Sequence, residues 1–128
     1  MFVKLTLAFS ALGLLGFGIA MTIAPAQLLA PVGLAVDSGS ALTEIRAFYG
    51  GLEVGLGSAL LFCLLRPRLR RQGLQLSALC YGCVALVRAA GLIIDDSGGT
   101  FLWTALTLET VLAVASLAAL RYGGVSPS

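Results

Sequence analysis

Apolar residues run almost unbroken through four stretches of the chain, roughly 3–24, 42–66, 72–94 and 101–121, and polar residues gather in the gaps between them. Each stretch is near the ~20 residues that carry a helix across a bilayer. Periodicity inside them carries little, because a helix that is apolar on every side belongs in lipid. The punctuation is more informative. Pro25 and Pro31 stop the first helix and begin a loop. Ser40 is placed to cap the second helix, with Glu44 in its first turn at the positive end of the dipole. Pro67 ends that helix, and Asp95-Asp96-Ser97-Gly98-Gly99 reads as a tight turn. Thr100 is placed to cap the fourth helix, and Gly123 and Gly124 close it. The pattern predicts an all-α integral membrane four-helix bundle, one domain over residues 1–128, with no soluble domain at either end.

Composition agrees with a lipid solvent. Hydrophobic residues make up 59% of the chain and charged residues 11%, against about 25% charged in a soluble domain. A net charge of +2 is too small for nucleic-acid binding, and the basic residues are not interleaved with aromatics. Histidine is absent, which removes the commonest metal ligand and acid–base catalyst. Nothing calls for a metal or a cofactor.

The arginines set the expected orientation. Arg66-Pro67-Arg68-Leu69-Arg70-Arg71 joins the second and third spans, and Lys4 and Arg121 fall on the same side. Asp37, Glu44, Asp95 and Asp96 fall on the other. Basic residues beside spans stay in the cytoplasm, so both termini are expected there, in a multi-pass protein of a bacterial inner membrane. The same arginines would attract anionic lipid. The first stretch also has features of a signal peptide, with Lys4 and Ala24-Pro25-Ala26. Its apolar run of about 20 residues exceeds the 7–15 of a signal core, so it is expected to remain as a span.

Charges inside spans are the candidate chemistry. Glu53 lies nine residues after Glu44, ~13 Å deep at an α-helical rise. Glu109 lies about as far into the fourth stretch, and Arg88 sits seven residues before Asp95, ~10 Å from that end. All three come to a similar level, where each costs ~2.5–3.5 kcal/mol if left in lipid. Paired inside the bundle, Arg88 has donors enough for both glutamates. Arg46, Gly50, Glu53 and Gly57 step along one stripe of the second helix, with Tyr49 at its edge. Tyr81, Arg88 and Asp95 form a stripe on the third, and Glu109 and Ser116 one on the fourth. Such a constellation reads either as an ion-pair strut or as a polar pocket in the outer half of the membrane.

Other signals are weaker. Cys80-x-x-Cys83, with Cys63 expected nearby, is a poor zinc set and reads as small buried thiols. Gly51-x-x-x-Gly55 and the small residues Gly13, Gly16, Gly18 and Ala20 read as helix-contact surfaces. Phe101, Trp103 and Tyr122 fall near span ends, where aromatics anchor in the interface.

The run Glu44-Ile45-Arg46-Ala47-Phe48-Tyr49-Gly50-Gly51-Leu52-Glu53, the later Val87-Arg88 before an acidic turn, and Glu109 in the last span together resemble a small bacterial membrane family. That family is catalogued as domain of unknown function 4345. The resemblance covers nearly the whole chain and centres on E-x-R-x-x-Y-G-G. It implies four spans in a bacterial membrane and no assigned activity.

Three functions fit these residues. One is binding or transfer of a membrane lipid or other amphiphile, by a site of Glu44, Arg46, Tyr49, Gly50, Glu53, Arg88 and Glu109. In it the two arginines hold an anionic or carbonyl head, the glutamates orient them and Tyr49 donates a hydrogen bond. A second is proton-transfer catalysis by a buried glutamate on a lipophilic substrate. A third is a small assembly subunit, with homo-oligomerisation through its small-residue surfaces. A proton path is a weaker fourth, because the cytoplasmic halves show no matching chain of ionisable residues and are read as polar only at Ser58, Ser77 and Ser116.

Overall fold

The computed structural model describes residues 1–123, so Gly124, predicted to help close the last helix, lies outside the described residues. Four helical spans are long and apolar enough to cross a membrane: Phe2–Ile23, Gly39–Leu65, Pro67–Ile94 and Thr100–Tyr122. Helix α1 is Phe2–Ile23. The following loop, predicted to be irregular, holds a short helix α2 at Pro25–Leu29 and a 3-10 turn at Ala30–Val32. Proline accounts for the difference, since its fixed φ suits the first turn of a helix as well as a loop. The second span comprises α3 (Gly39–Ile45), a π-helical turn (Arg46–Gly51) and α4 (Leu52–Leu65). A 3-10 turn at Pro67–Leu69 leads to α5 (Arg70–Ile94), and α6 is Thr100–Tyr122.

Several ends differ from the sequence reading. The cap of the second span is Ser38, whose hydroxyl accepts from Ala41 N–H at 3.1 Å; Ser40 is already inside the helix. Glu44 therefore lies beyond the first turn. Thr100 is the first helical residue of α6 rather than its cap, and Gly99 precedes it with no side-chain cap bond. Arg66, ahead of Pro67, is extended at φ −107° and ψ 104°, as the pyrrolidine ring requires of its neighbour. The Asp95–Gly99 turn closes α5 with Asp96 at φ 43° and Ser97 N–H bonded to Leu92 O at 3.3 Å. That is a left-handed C-terminal stop with an aspartate where glycine is usual.

Near-neighbour packing runs α1 to α4, α4 to α5, α5 to α6 and α6 back to α1, with α1 also touching α5 across the bundle. The ends of this bundle are not alike. Toward the arginine loop (the basic end), Val3, Leu7, Ala11, Leu60, Leu74 and Ala119 form one apolar cluster, most of it fully buried. There a Cβ on Gly73 would meet Cys63 Cβ at 2.6 Å, and one on Gly123 would meet Val3 Cγ2 at 2.5 Å. Close packing therefore seals this end and brings the two ends of the described chain together. Toward the other, acidic end, the π turn packs on α1 and makes no comparable contact with α5 or α6. The second span thus rests on α1 along both α4 and the π turn, and meets α5 through α4, without comparable contact from the π turn.

The α1 contact is set by glycines. A Cβ on Gly18 would lie 2.8 Å from Val54 N and 2.9 Å from Gly50 O. One on Gly57 would lie 2.8 Å from Leu15 N, and one on Gly50 would collide with Thr22 Oγ1. These backbones are in direct contact, the arrangement through which small residues hold helices together in lipid. Gly51 and Gly55, predicted to mediate close packing, are exposed, and a Cβ on Gly55 would meet nothing within 4 Å. They sit on the opposite side of the helix from the α1 contact.

Candidate functional site

The motif Glu44–Glu53 is where the second span departs from α geometry. Leu52 N–H bonds to Ala47 O, five residues back. A turn of that kind holds an extra residue, and such turns recur at functional sites. The uniform α rise assumed between Glu44 and Glu53 therefore does not hold. Gly50, Glu53 and Gly57 keep a shared face toward α1: the Gly18 position touches Gly50 O and Glu53 Cβ, and Gly57 touches Leu15. Arg46 is exposed, and its Nε donates to Thr22 O at 3.1 Å, near the end of α1. Glu44 and Tyr49 are also exposed.

Arg88 and Glu109 meet from α5 and α6. Arg88 Nε donates to Glu109 Oε2 at 2.8 Å, and its Nη2 donates to Oε1 at 2.6 Å. The side chains keep 26% and 13% exposure, so the pair is largely withdrawn into the bundle. A bidentate fork is the strong form of an arginine–carboxylate contact. The expectation that Arg88 would serve both glutamates is corrected here. Its fork goes to Glu109 alone through Nε and Nη2, and the Nη1 edge has no partner among the described residues. Glu53, half-buried, lies within electrostatic reach of both Arg88 and Glu109. Among the described residues it has no hydrogen-bond or salt-bridge partner. Tyr49 lies within electrostatic reach of Arg88.

Below this level lies a polar floor that the sequence reading did not find. Ser77 Oγ donates to Ser10 Oγ at 2.8 Å and shares a 2.8 Å hydrogen bond with Ser116 Oγ. All three serines are fully buried. Tyr81 O–H donates to Ser10 O at 2.7 Å. Gly13 makes that approach possible, since a Cβ there would lie 2.7 Å from the Tyr81 hydroxyl oxygen. Ser10, in the half of α1 nearer the basic end, is not among the polar residues the sequence reading names there, and Ser58, which is, stands exposed. The hydroxyls bind α1, α5 and α6 to one another, and every buried side-chain polar atom described is satisfied.

The remaining signals separate from this region. Cys63 packs on Gly73, about two turns of α5 from Cys80, and Cys83 is exposed, so the thiols are not one buried set. A hollow of ≈ 420 Å³ opens at the acidic end between the Pro31–Val32 turn and Ser97–Leu102. None of Glu53, Arg88 or Glu109 lines it. Trp103 and Tyr122 are exposed near the ends of α6, as interface anchors would be.

The family described as Domain of unknown function (DUF4345) matches residues 2–120. Neither a curated protein nor a solved structure matches the chain.

Proposed function

The chain belongs to the DUF4345 family, and we propose that this member binds a lipid-like amphiphile between its second span and α5–α6, toward the acidic end. The observation that carries the reading is Glu53. It is a half-buried carboxyl inside an apolar span, beside an Arg88–Glu109 pair that already satisfies itself. An ionisable group at that depth is costly and marks a functional site by default. The packing supports a place for a guest, because the π turn rests on α1 with no comparable contact to α5 or α6, while Glu53, at the edge of the α1 contact, comes within electrostatic reach of Arg88 and Glu109. Exposed Phe48, Leu52 and Val87 adjoin Tyr49, Glu53 and Arg88 in sequence and offer apolar surface for a tail. Glu44, Arg46 and Tyr49 rim the site, and Gly50 gives the second span its seat against α1.

In the same reading the protein is a multi-pass component of a bacterial cytoplasmic membrane. Its arginine loop faces the cytoplasm and the site faces outward. Maleimide labelling of intact cells tests the orientation on a cysteine-free background: Asp96→Cys reacts with an impermeant reagent and Arg68→Cys does not. Native mass spectrometry of the protein taken from its own membrane tests the binding. A retained lipid is expected on the wild type and lost on Glu53→Gln. If none co-purifies and no added amphiphile raises the melting temperature, amphiphile binding is wrong.

A further inference from the structure

The basic end carries a second constellation, independent of the Glu53 region. Six of the chain's eight Lys and Arg residues stand there: Lys4, Arg66, Arg68, Arg70, Arg71 and Arg121. All six acidic side chains lie elsewhere, four toward the acidic end and Glu53 and Glu109 inside spans. The loop arginines are held in place. Pro67 keeps Arg66 extended, and Leu69 N–H closes the turn on Arg66 O at 2.9 Å. The Arg66 guanidinium lies over the Phe62 ring, 5.4 Å from its centroid, a cation–π distance. Arg70 Nε donates to Leu64 O at 3.2 Å, which anchors that side chain and leaves its Nη groups as donors. Arg66, fixed by its face, has no hydrogen-bond partner for its edge among the described residues, and Arg68 stands exposed on the turn.

Setting the topology needs only positive charge, which a mobile lysine supplies equally well. Anchored guanidinium forks add what bidentate recognition of a phosphate requires. Their position narrows the phosphate to that of a lipid. Phe62 and Leu65, just before Arg66, are 52% and 69% exposed, so the surface turns from apolar to cationic within about one helical turn. A phospholipid passes from tail to head at that same level. With no acidic side chain at this end, a head of net negative charge is favoured and the ammonium of a zwitterion is repelled. We propose that Arg66, Arg68 and Arg70 form a site for the phosphate of an anionic phospholipid in the leaflet at the basic end, its tail lying along Phe62 and Leu65.

Dioleoyl phosphatidylglycerol and dioleoyl phosphatidylcholine differ in head group alone, and each can be titrated onto lipid-stripped protein in a non-ionic detergent and counted by native mass spectrometry. The first should bind about tenfold tighter, equal to ~1.4 kcal/mol. The triple variant Arg66→Lys, Arg68→Lys, Arg70→Lys keeps the charge and the insertion signal but removes the forks, and should cut the preference to about threefold or less. The pair Lys4→Gln and Arg121→Gln removes two charges from the same end and should keep most of the preference. Equal binding of the two lipids by the wild type overturns the site. A lysine variant with the full preference, or a glutamine pair that loses as much as the lysine variant, shows diffuse charge alone and overturns it too. Displacement of phosphatidylglycerol by millimolar glycerol 3-phosphate assigns the site to a soluble phosphate and overturns the lipid reading. Should the lysine variant fail to fold, Phe62→Leu, at an exposed position, removes the ring beneath Arg66. The preference should then weaken about threefold, and an unchanged preference overturns the proposal.

Discussion

Arg88 ties α5 to α6 by gripping Glu109 with two of its nitrogens, a fork placed toward the acidic end from the Ser77–Ser116 contact. Removing one partner strands the other inside the bundle. Arg88→Leu or Glu109→Leu should each destabilise the protein by about 3–5 kcal/mol. The double variant, free of an uncompensated charge, should recover most of that loss. Melting temperatures of the four proteins in one detergent check this. Single variants that melt with the wild type would show that the fork is not a strut.

Glycines on the second span should divide into two kinds. Gly57→Ala places a methyl 2.8 Å from Leu15 N and Leu15 Cγ and must push α1 away. Overpacking of this sort typically costs about 1–3 kcal/mol. Gly55→Ala adds a methyl in open space and should be neutral or slightly stabilising. Thermal denaturation of the two variants side by side tests the division, and equal losses would refute the packing described.

Deleting Phe48 should convert the π turn to an α turn. Its side chain is exposed, and the flanking helices already follow α geometry, so the register on both sides can close up. The melting temperature is expected to hold within a few degrees while retained lipid is lost, because Arg46 and Tyr49 are re-aimed. Circular dichroism and native mass spectrometry read the two effects. Loss of the fold would mean that the π turn is a packing requirement and not a feature of the site.

Ser77 joins hydroxyls from two other helices. Ser77→Ala leaves Ser10 and Ser116 without that partner in a fully buried setting, at a cost of about 1–3 kcal/mol. Replacing all three serines by alanine should cost less than the sum of the single losses, since no unsatisfied hydroxyl is then left behind. Additive losses measured by thermal melting would rule out the shared network.

The spans were legible because lipid imposes length and apolarity on any segment that crosses it, and Phe2–Ile23 and the other three meet both demands. Arg88, Glu109 and Glu53 were legible for the complementary reason that charge stands out in an apolar run. The π turn was not. Its residues Arg46–Gly51 carry no composition that separates an i−5 bond from an i−4 bond. The Gly50–Glu53–Gly57 stripe was legible from spacing and does face α1, whereas Gly51-x-x-x-Gly55, read as a contact motif, makes none there. Ser10 was missed because a serine in a helix says little alone; its role arises only from standing opposite Ser77 and Ser116, far away in sequence. The division of Arg88 between two acids depended on side-chain geometry that spacing does not contain.

The apolar plug of Val3, Leu7, Ala11, Leu60, Leu74 and Ala119 has a consequence for traffic. With the basic end closed by buried side chains, a guest held as proposed toward the acidic end would have no way through the bundle. It would slip in sideways from one leaflet, leave by the same door, and be handed over on that face of the bilayer only.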